Sequence, residues 1–155
     1  MSYTVRPATL ADLDVLVHHR IAMFTDMSLS FDTEQLAEMF GRWLRDQMPS
    51  GSYRAWLVET ADGEVVAGAG ATVIPWPPGP RYPGERLAFV YNVYTERAHR
   101  RRGLARQLME VIHDWCRANG VSSLALNASH DGRKLYESMG YAVAPSPMMF
   151  FSLGV

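Results

Sequence analysis

The sequence feature that most constrains the fold is an apolar segment that runs through an arginine-rich turn into an amphipathic segment. Residues 86–95 are apolar and β-prone, the turn ends at Gly103, and residues 103–119 repeat apolar side chains at helical spacing. Residues 122–126 have the composition of a short buried strand. A strand, a helix and a second strand in this order predict a mixed α/β sheet with a strand–helix–strand unit in the second half of the chain.

Other periodic segments predict the rest of the architecture. Thr9 and Asp12 form a variant of the capping box before a first helix, and a second helix starts at Asp32 and ends before Pro49. Five prolines in the ten residues 75–84 exclude regular structure there. The further predicted elements are strands 3–6, 53–59 and 65–74, the last two joined by a turn at 61–64, then a short helix 131–139 and final strands 141–143 and 148–153.

Length and composition predict a single domain spanning 1–155. The chain has 155 residues, 48% hydrophobic and 20% charged, which is typical of a globular domain with a sizeable core. A net charge of −1 argues against a globally basic nucleic-acid binder. Cys116 is the only cysteine, and neither a signal peptide nor a membrane span is apparent, so we expect a cytoplasmic protein.

The arginine-rich turn has the chemistry of an anion site. The first turn of a helix leaves backbone N–H groups unpaired and adds a partial positive charge, and phosphates bind at such places. Gly103 has no Cβ and permits close approach of a ligand, while Arg97, Arg100, Arg101, Arg102 and Arg106 add charge. A solvated basic surface and a nucleic-acid contact are the alternatives that the residues alone leave open.

Two motifs resemble those of the GNAT superfamily of acetyl-CoA-dependent N-acetyltransferases. Arg100-x-x-Gly103-x-Ala105 resembles the pyrophosphate loop of that family, and residues 92–95 and 104–109 resemble its flanking strand and helix. Residues 132–141, with Leu-Tyr-Glu followed by Gly-Tyr, resemble a second family signature. The resemblance implies the family fold, a single-domain mixed, mostly antiparallel sheet flanked by helices.

The resemblance implies acetyl-CoA as co-substrate, with no metal. The backbone of Val93, Tyr94 and Thr95 would pair with the pantetheine arm, which enters where the fourth and fifth strands splay apart. Asn127 would hydrogen-bond to that arm, although a plain turn residue is an equal alternative. The residues implied for the pyrophosphate are Arg100, Arg101, Arg102, Gly103, Leu104 and Ala105.

For the chemistry, the resemblance assigns Tyr136 as the proton donor to the leaving thiolate, with a packed aromatic as the alternative. A backbone N–H near Val93 or Tyr94, turned by a bulge, would stabilise the oxyanion. An alkyl amine is almost fully protonated at neutral pH, so a base or a water chain must take its proton. Phe89 stands near the position of the glutamate that the histone-acetylating branch uses. The alternatives are Glu59, Glu85, Asp26, His130 or water.

The sequence contains few indications of the acceptor that would receive the acetyl group. We expect a small-molecule primary amine that attacks directly in a ternary complex, and neither a nucleic-acid nor a membrane partner. The apolar segment 148–153 leaves a homodimer open. A non-catalytic acyl-CoA sensor and a nucleic-acid-binding module are the competing functions. Candidate residues of an apolar acceptor pocket are Met23, Phe24, Met27, Phe31, Trp76 and Tyr82.

Overall fold

The computed structural model describes residues 2–154, whose centre is a five-stranded sheet in the order β1-β2-β3-β4-β5. Neighbouring strands from β1 to β4 are antiparallel, and β4 and β5 are parallel. The sheet is therefore mixed and mostly antiparallel, as predicted. The strands are β1 Tyr3–Pro7, β2 Tyr53–Thr60, β3 Val65–Pro75, β4 Arg86–Thr95 and β5 Ser123–Leu126.

Four α-helices and two short 3-10 turns complete the described elements. The helices are α1 Leu13–Asp26, α2 Thr33–Gln47, α3 Leu104–Ala118 and α4 Arg133–Ser138, and the 3-10 turns are Leu10–Asp12 and Arg97–His99. The predicted capping box is present, since Thr9 and Asp12 cap each other's backbone at the 3-10 turn before α1. Asp32 caps α2 by accepting the Gln35 N–H at 3.0 Å. No helix within residues 2–154 is long and apolar enough to cross a membrane.

The two faces of the sheet carry separate hydrophobic clusters. Leu108 and Ile112 of α3 pack on one face together with the α4 residue Tyr136. Leu16 of α1 and Leu44 of α2 pack on the other face. The apolar stripes that predicted these helices are therefore the surfaces that cover the sheet.

Two glycines of β3 give the α1–α2 face room for large polar side chains. A Cβ at Gly68 would lie 2.9 Å from His19 Nδ1, and a Cβ at Gly70 would collide with the Tyr53 hydroxyl. His19 and Tyr53 are both fully buried against these positions. Gly68 thus leaves space for the His19 ring, and Gly70 leaves space for the Tyr53 hydroxyl, which contacts Asn92 of β4.

The predicted final strands 141–143 and 148–153 are wrong. Residues 142–154 have no regular structure and are exposed, with Met149 at 90% and Phe150 at 94% of their full accessibility. Apolar, β-prone composition forms a strand only where a neighbouring strand pairs with its backbone. Within residues 2–154, the sheet ends at β5, and the segment has no partner in the chain itself.

Candidate active site

A β-bulge interrupts β4 at the centre of the candidate site. Tyr91 pairs with Gly70 and Tyr94 pairs with Gly68, so two β4 residues lie opposite Ala69 alone. The bulge residue Asn92 has a φ of 58°, a left-handed conformation that asparagine tolerates better than most residues. The bulge changes the direction in which the following N–H groups point.

The sheet opens between β4 and β5 beyond the bulge. Their parallel pairing joins Leu87–Val90 to Ser123–Leu126 and then ends. Within the described chain, residues 93–95 have no strand beside them on this side. Asn127 is exposed at the end of β5. The opening matches the splay that the sequence resemblance implies, and an extended ligand can pair there with the free backbone of β4.

The turn before α3 presents a run of unpaired N–H groups. Arg101 and Gly103 have φ values of 61° and 77°, both in the left-handed region. In the part of the chain that the structure describes, the N–H groups of residues 101–106 make no hydrogen bond, and the ladder starts with Gln107 donating to the Gly103 carbonyl at 3.1 Å. Alternating left-handed residues at a helix start form a concave nest for anions.

The arginine side chains of this turn have different environments. Arg100 donates to Asp26 at 2.5 Å and to the Thr95 carbonyl at 2.8 Å, and Arg97 donates to Asp26 at 3.0 Å. The two guanidinium groups hold the pKa of Asp26 below its usual value. Arg101 and Arg102 are exposed beside the nest. The side chain of Arg100 therefore ties the turn to the end of α1, whereas Arg101 and Arg102 face solvent.

Tyr136 belongs to the hydrophobic cluster that also contains Leu104, the first residue of α3. It is 7% exposed and packs with Leu104 and Leu108 of α3. A Cβ at Gly132 would come within 2.9 Å of the Tyr136 ring, so this glycine allows the ring its position. Burial raises the pKa of Tyr136. Its hydroxyl is neutral at physiological pH and can donate a hydrogen bond.

Of the four candidate bases, two pair with arginines, one lies at the far end of β4 and one is exposed before α4. Asp26 binds Arg97 and Arg100, and Glu59 accepts from Arg6 at 2.6 Å. Glu85 precedes β4 on the far side from the bulge, about 20 Å along the strand, and His130 is exposed in the turn before α4. Within residues 2–154, no three His, Cys, Asp or Glu side chains group as a metal site would require.

A pocket opens on the α1–α2 side of the bulge, next to the open strand. It measures about 270 Å³, and a cavity of about 340 Å³ adjoins it at Leu36 and Met39. Of the residues that the sequence offers for an acceptor pocket, Phe24 and Phe31 line the adjoining cavity, while Trp76 and Tyr82 lie in the loop between β3 and β4. The pocket itself is lined by Arg20, Leu36, Met39, Phe40, Trp43, Tyr53, Tyr91 and Asn92.

A polar network that sequence reasoning missed forms the inner wall of this pocket. Arg20 donates to Asn92 Oδ1 at 2.6 Å, and Asn92 donates to the Tyr53 hydroxyl at 2.8 Å. Burial raises the pKa of Tyr53 to about 12, so it stays protonated. A signal was present, because Arg20 interrupts the apolar face of α1 and Asn92 interrupts an apolar strand.

Comparison with solved structures defines the class of protein to which this fold and site belong. A GCN5-related N-acetyltransferase from Ralstonia eutropha JMP134 is 31% identical and superposes with a TM-score of 0.86, covering 97% of this chain and 99% of the other. A structure from Clostridium acetobutylicum, described as a predicted acetyltransferase with acetyl-CoA, has a TM-score of 0.84 at 20% identity over 97% and 96% of the two chains. The fold is that of the GCN5-related N-acetyltransferases.

Sequence comparison gives the family directly. Residues 20–141 match the Acetyltransferase (GNAT) family, and the chain belongs to it. An aminoglycoside N(6′)-acetyltransferase type 1 from Serratia marcescens is 27% identical over 108 residues, which are 64% of this chain and 69% of that protein. Residues 20–141, which match the family, contain the bulge, the open strand, the nest and Tyr136.

Proposed function

We propose that the whole chain, 1–155, is one N-acetyltransferase domain that transfers an acetyl group from acetyl-CoA to a primary amine by direct attack in a ternary complex. The observation that carries the proposal is the run of unpaired N–H groups at 101–106 beside the open β4 edge. Membership of the GNAT family supports it. Acetyl-CoA, when bound, supplies the thioester from which the acetyl group is transferred.

The residues present fit a diphosphate carried on an extended arm. The N–H groups of Arg101, Arg102, Gly103, Leu104 and Ala105 would hold the phosphates, and the free arginine side chains would add charge. Arg100 would act through its contact with Asp26, which holds the turn in place. The backbone of 93–95 and the Asn127 side chain would hold the arm.

Two groups would stabilise the charges that develop during transfer. The bulge at Asn92 would turn the N–H of Val93 or Tyr94 towards the opening, where it would donate to the developing oxyanion. Tyr136 would donate its proton towards the leaving sulfur. No carboxylate or histidine is among the residues lining the pocket beside the bulge, so we assign the removal of the amine proton to water.

Gly103→Glu tests the nest. A carboxylate beside the unpaired N–H groups would repel phosphate, and the left-handed φ of 77° disfavours a side chain at this position. We expect titration calorimetry to show acetyl-CoA binding in the wild type and its loss in the variant. Gly63→Glu is the matched control, because Gly63 has a similar left-handed φ of 82° and a Cβ there meets open space in the turn between β2 and β3. Equal affinity in wild type and Gly103→Glu would contradict the assignment.

Tyr136→Phe separates an enzyme from a non-catalytic sensor. The ring packing is kept and only the hydroxyl is lost, so acetyl-CoA affinity should stay the same. Thiol release should fall by about 100-fold, as is usual when a general acid is removed. If thiol release is unchanged, the hydroxyl is not the proton donor. If the wild type binds acetyl-CoA but acetylates no amine, the sensor function is favoured.

We also propose that the protein is a cytoplasmic homodimer. Among the described residues 2–154, no strand pairs with the outer edge of β5, and the residues of β5 are only half-buried. The segment 148–153 has exposed apolar side chains, with Phe151 at 83%. Free strand edges and exposed apolar strand-like segments tend to pair with another chain. The segment of one copy would therefore cover the β5 edge of the other.

A further inference from the structure

Arg20 is a mostly buried cation without an anionic partner. Among residues 2–154, no Asp or Glu oxygen lies within 4.0 Å of its guanidinium, although seven such pairs between arginine and carboxylate exist elsewhere. Burial lowers the pKa of Arg20. A charge taken out of water is costly unless an opposite charge and hydrogen bonds compensate it. Within the protein, Asn92 Oδ1 accepts a hydrogen bond from the guanidinium, and the opposite charge is left to a ligand.

The guanidinium is held in a defined position at the wall of the pocket. Its carbon lies 4.8 Å from the centre of the Phe24 ring and 4.9 Å from that of Phe40. One nitrogen donates to Asn92 Oδ1 at 2.6 Å. A guanidinium has five N–H donors in a planar fork, so most of its donors remain for a ligand. Such a fork matches the two oxygens of a carboxylate.

The remaining walls of the pocket are apolar. Leu36, Met39 and Trp43 of α2 line it, and Arg20 is the only ionised residue among its lining groups. Asp32 lines the adjoining cavity, but its carboxylate caps the N-terminus of α2. A polycationic amine would meet a cation here and no carboxylate within the pocket. A ligand with one anionic group and one apolar group would find both partners.

We propose that the acceptor is a primary amine of the amino-acid class, with its carboxylate bound by Arg20 and an apolar side chain lying against α2. This inference rests on the proposed acetyltransferase function. Asn92, the partner of Arg20, directly precedes Val93, and adjacent Cα atoms are about 3.8 Å apart. The amine must reach the Val93 region for attack, so only a few bonds separate it from the carboxylate.

The test compares acceptors that differ only at the carboxylate. Leucine, methionine and phenylalanine are offered with acetyl-CoA alongside their primary amides, and thiol release gives kcat/KM for each. The amines of the amides are weaker bases, with pKa values of about 8. A larger fraction of them is neutral and able to attack near neutral pH, so basicity alone favours the amides. We expect the acids to be preferred by about tenfold or more, as for a hydrogen bond to a charged group.

Arg20→Met should remove this preference, and Arg20→Lys should keep part of it. Methionine is apolar and fills the space between the two aromatic rings, and thermal melting checks that the variant folds. Arg42→Met is the matched control, because Arg42 is exposed on α2 and pairs with Glu38; its preference should equal that of the wild type. A wild type that prefers the amides, or an Arg20→Met variant that still prefers the acids, would overturn the inference and leave the acetyltransferase function standing.

A binding experiment keeps the inference testable without turnover. Calorimetry with N-acetyl-leucine and N-acetyl-leucinamide reports the anion site directly. Preferential binding of the acid that is lost in Arg20→Met would support the carboxylate site. If no amine were acetylated in that case, the proposed transferase function would fail and the carboxylate site would stand. Equal or absent binding of both ligands, together with acetylation of neutral amines, would overturn the carboxylate site.

Discussion

At the scale of single residues, the polar groups buried under the bulge determine what the site can hold and how it responds to pH. His19 is 1% exposed between α1 and the sheet, and its ring lies 5.3 Å from that of Tyr94. Burial, aided by the nearby His18 and opposed by Glu96, lowers the pKa of His19 to about 4. The folded protein therefore keeps this imidazole neutral at pH values where an unfolded chain protonates it.

We predict that His19 makes stability fall in mild acid. Between its usual pKa of 6.5 and about 4, the unfolded state binds the proton and the folded state does not, so the free energy of unfolding decreases as the pH falls. The loss should approach about 3 kcal/mol below pH 4. Urea unfolding from pH 7.5 to 4.5 should show this slope in wild type and in the exposed-site control His130→Gln. His19→Gln should flatten it, and an unchanged slope there would contradict the assignment.

At the same scale, the sequence predicts only some of the residues that form the candidate site. Gly103 and Tyr136 could be selected because each belongs to a linear motif, and the structure places Gly103 in the nest and Tyr136 in the hydrophobic cluster of α3 and α4. Arg20, Tyr53 and Asn92 belong to α1, β2 and β4, and their contacts depend on how the sheet brings these elements together. No spacing along the chain encodes such a network.

At the scale of elements, the sequence succeeds where periodicity and capping agree. The hairpin, α2 and α3 lie within a few residues of their predictions, because each has an apolar stripe or alternation bounded by turn residues. The final strands fail because a strand needs a pairing edge that composition does not reveal. The splay and the bulge follow from the family resemblance, because a single polar residue, Asn92, within an apolar strand does not by itself predict either of them.

The contact between α1 and the nest turn leads to a prediction at this scale. Asp26 joins the end of α1 to Arg97 and Arg100. These pairs are partly exposed, so Asp26→Asn should cost less than about 1 kcal/mol of stability. Because Arg100 and Arg97 hold the pKa of Asp26 low and occupy both of its oxygens, Asp26 is a weak base, and we expect the pH profile of kcat to stay unchanged.

The measurement is kcat from pH 6 to 9 together with a thermal melt. Asp114→Asn is the control, since Asp114 forms a similar exposed pair with Arg117 on α3. A large fall in kcat for Asp26→Asn alone, steepest at low pH, would identify Asp26 as the base and replace water in the proposed reaction.

At the scale of the whole molecule, the helices on the two faces of the sheet contribute different parts of the candidate site around β4. The α3–α4 layer carries the nest and Tyr136, while the α1–α2 layer carries the pocket with Arg20. The bulge lies between them, so the proposed acetyl donor and acceptor approach the same strand from different sides. The open β5 edge and the exposed segment 148–153 remain outside this arrangement.

We predict that this edge and segment make the protein a dimer. Pairing would bury Met149, Phe150 and Phe151, whose exposure is otherwise costly in water, and would satisfy the backbone of β5. Size-exclusion chromatography with light scattering should give twice the 17.4 kDa chain mass. The double variant Phe150→Lys/Phe151→Lys should be monomeric, since two charges would enter the interface, while the control Ala61→Lys, in the exposed turn between β2 and β3, should remain dimeric. A wild type of 17.4 kDa at about 50 μM, a concentration at which specific interfaces of standard size are normally formed, would contradict the pairing.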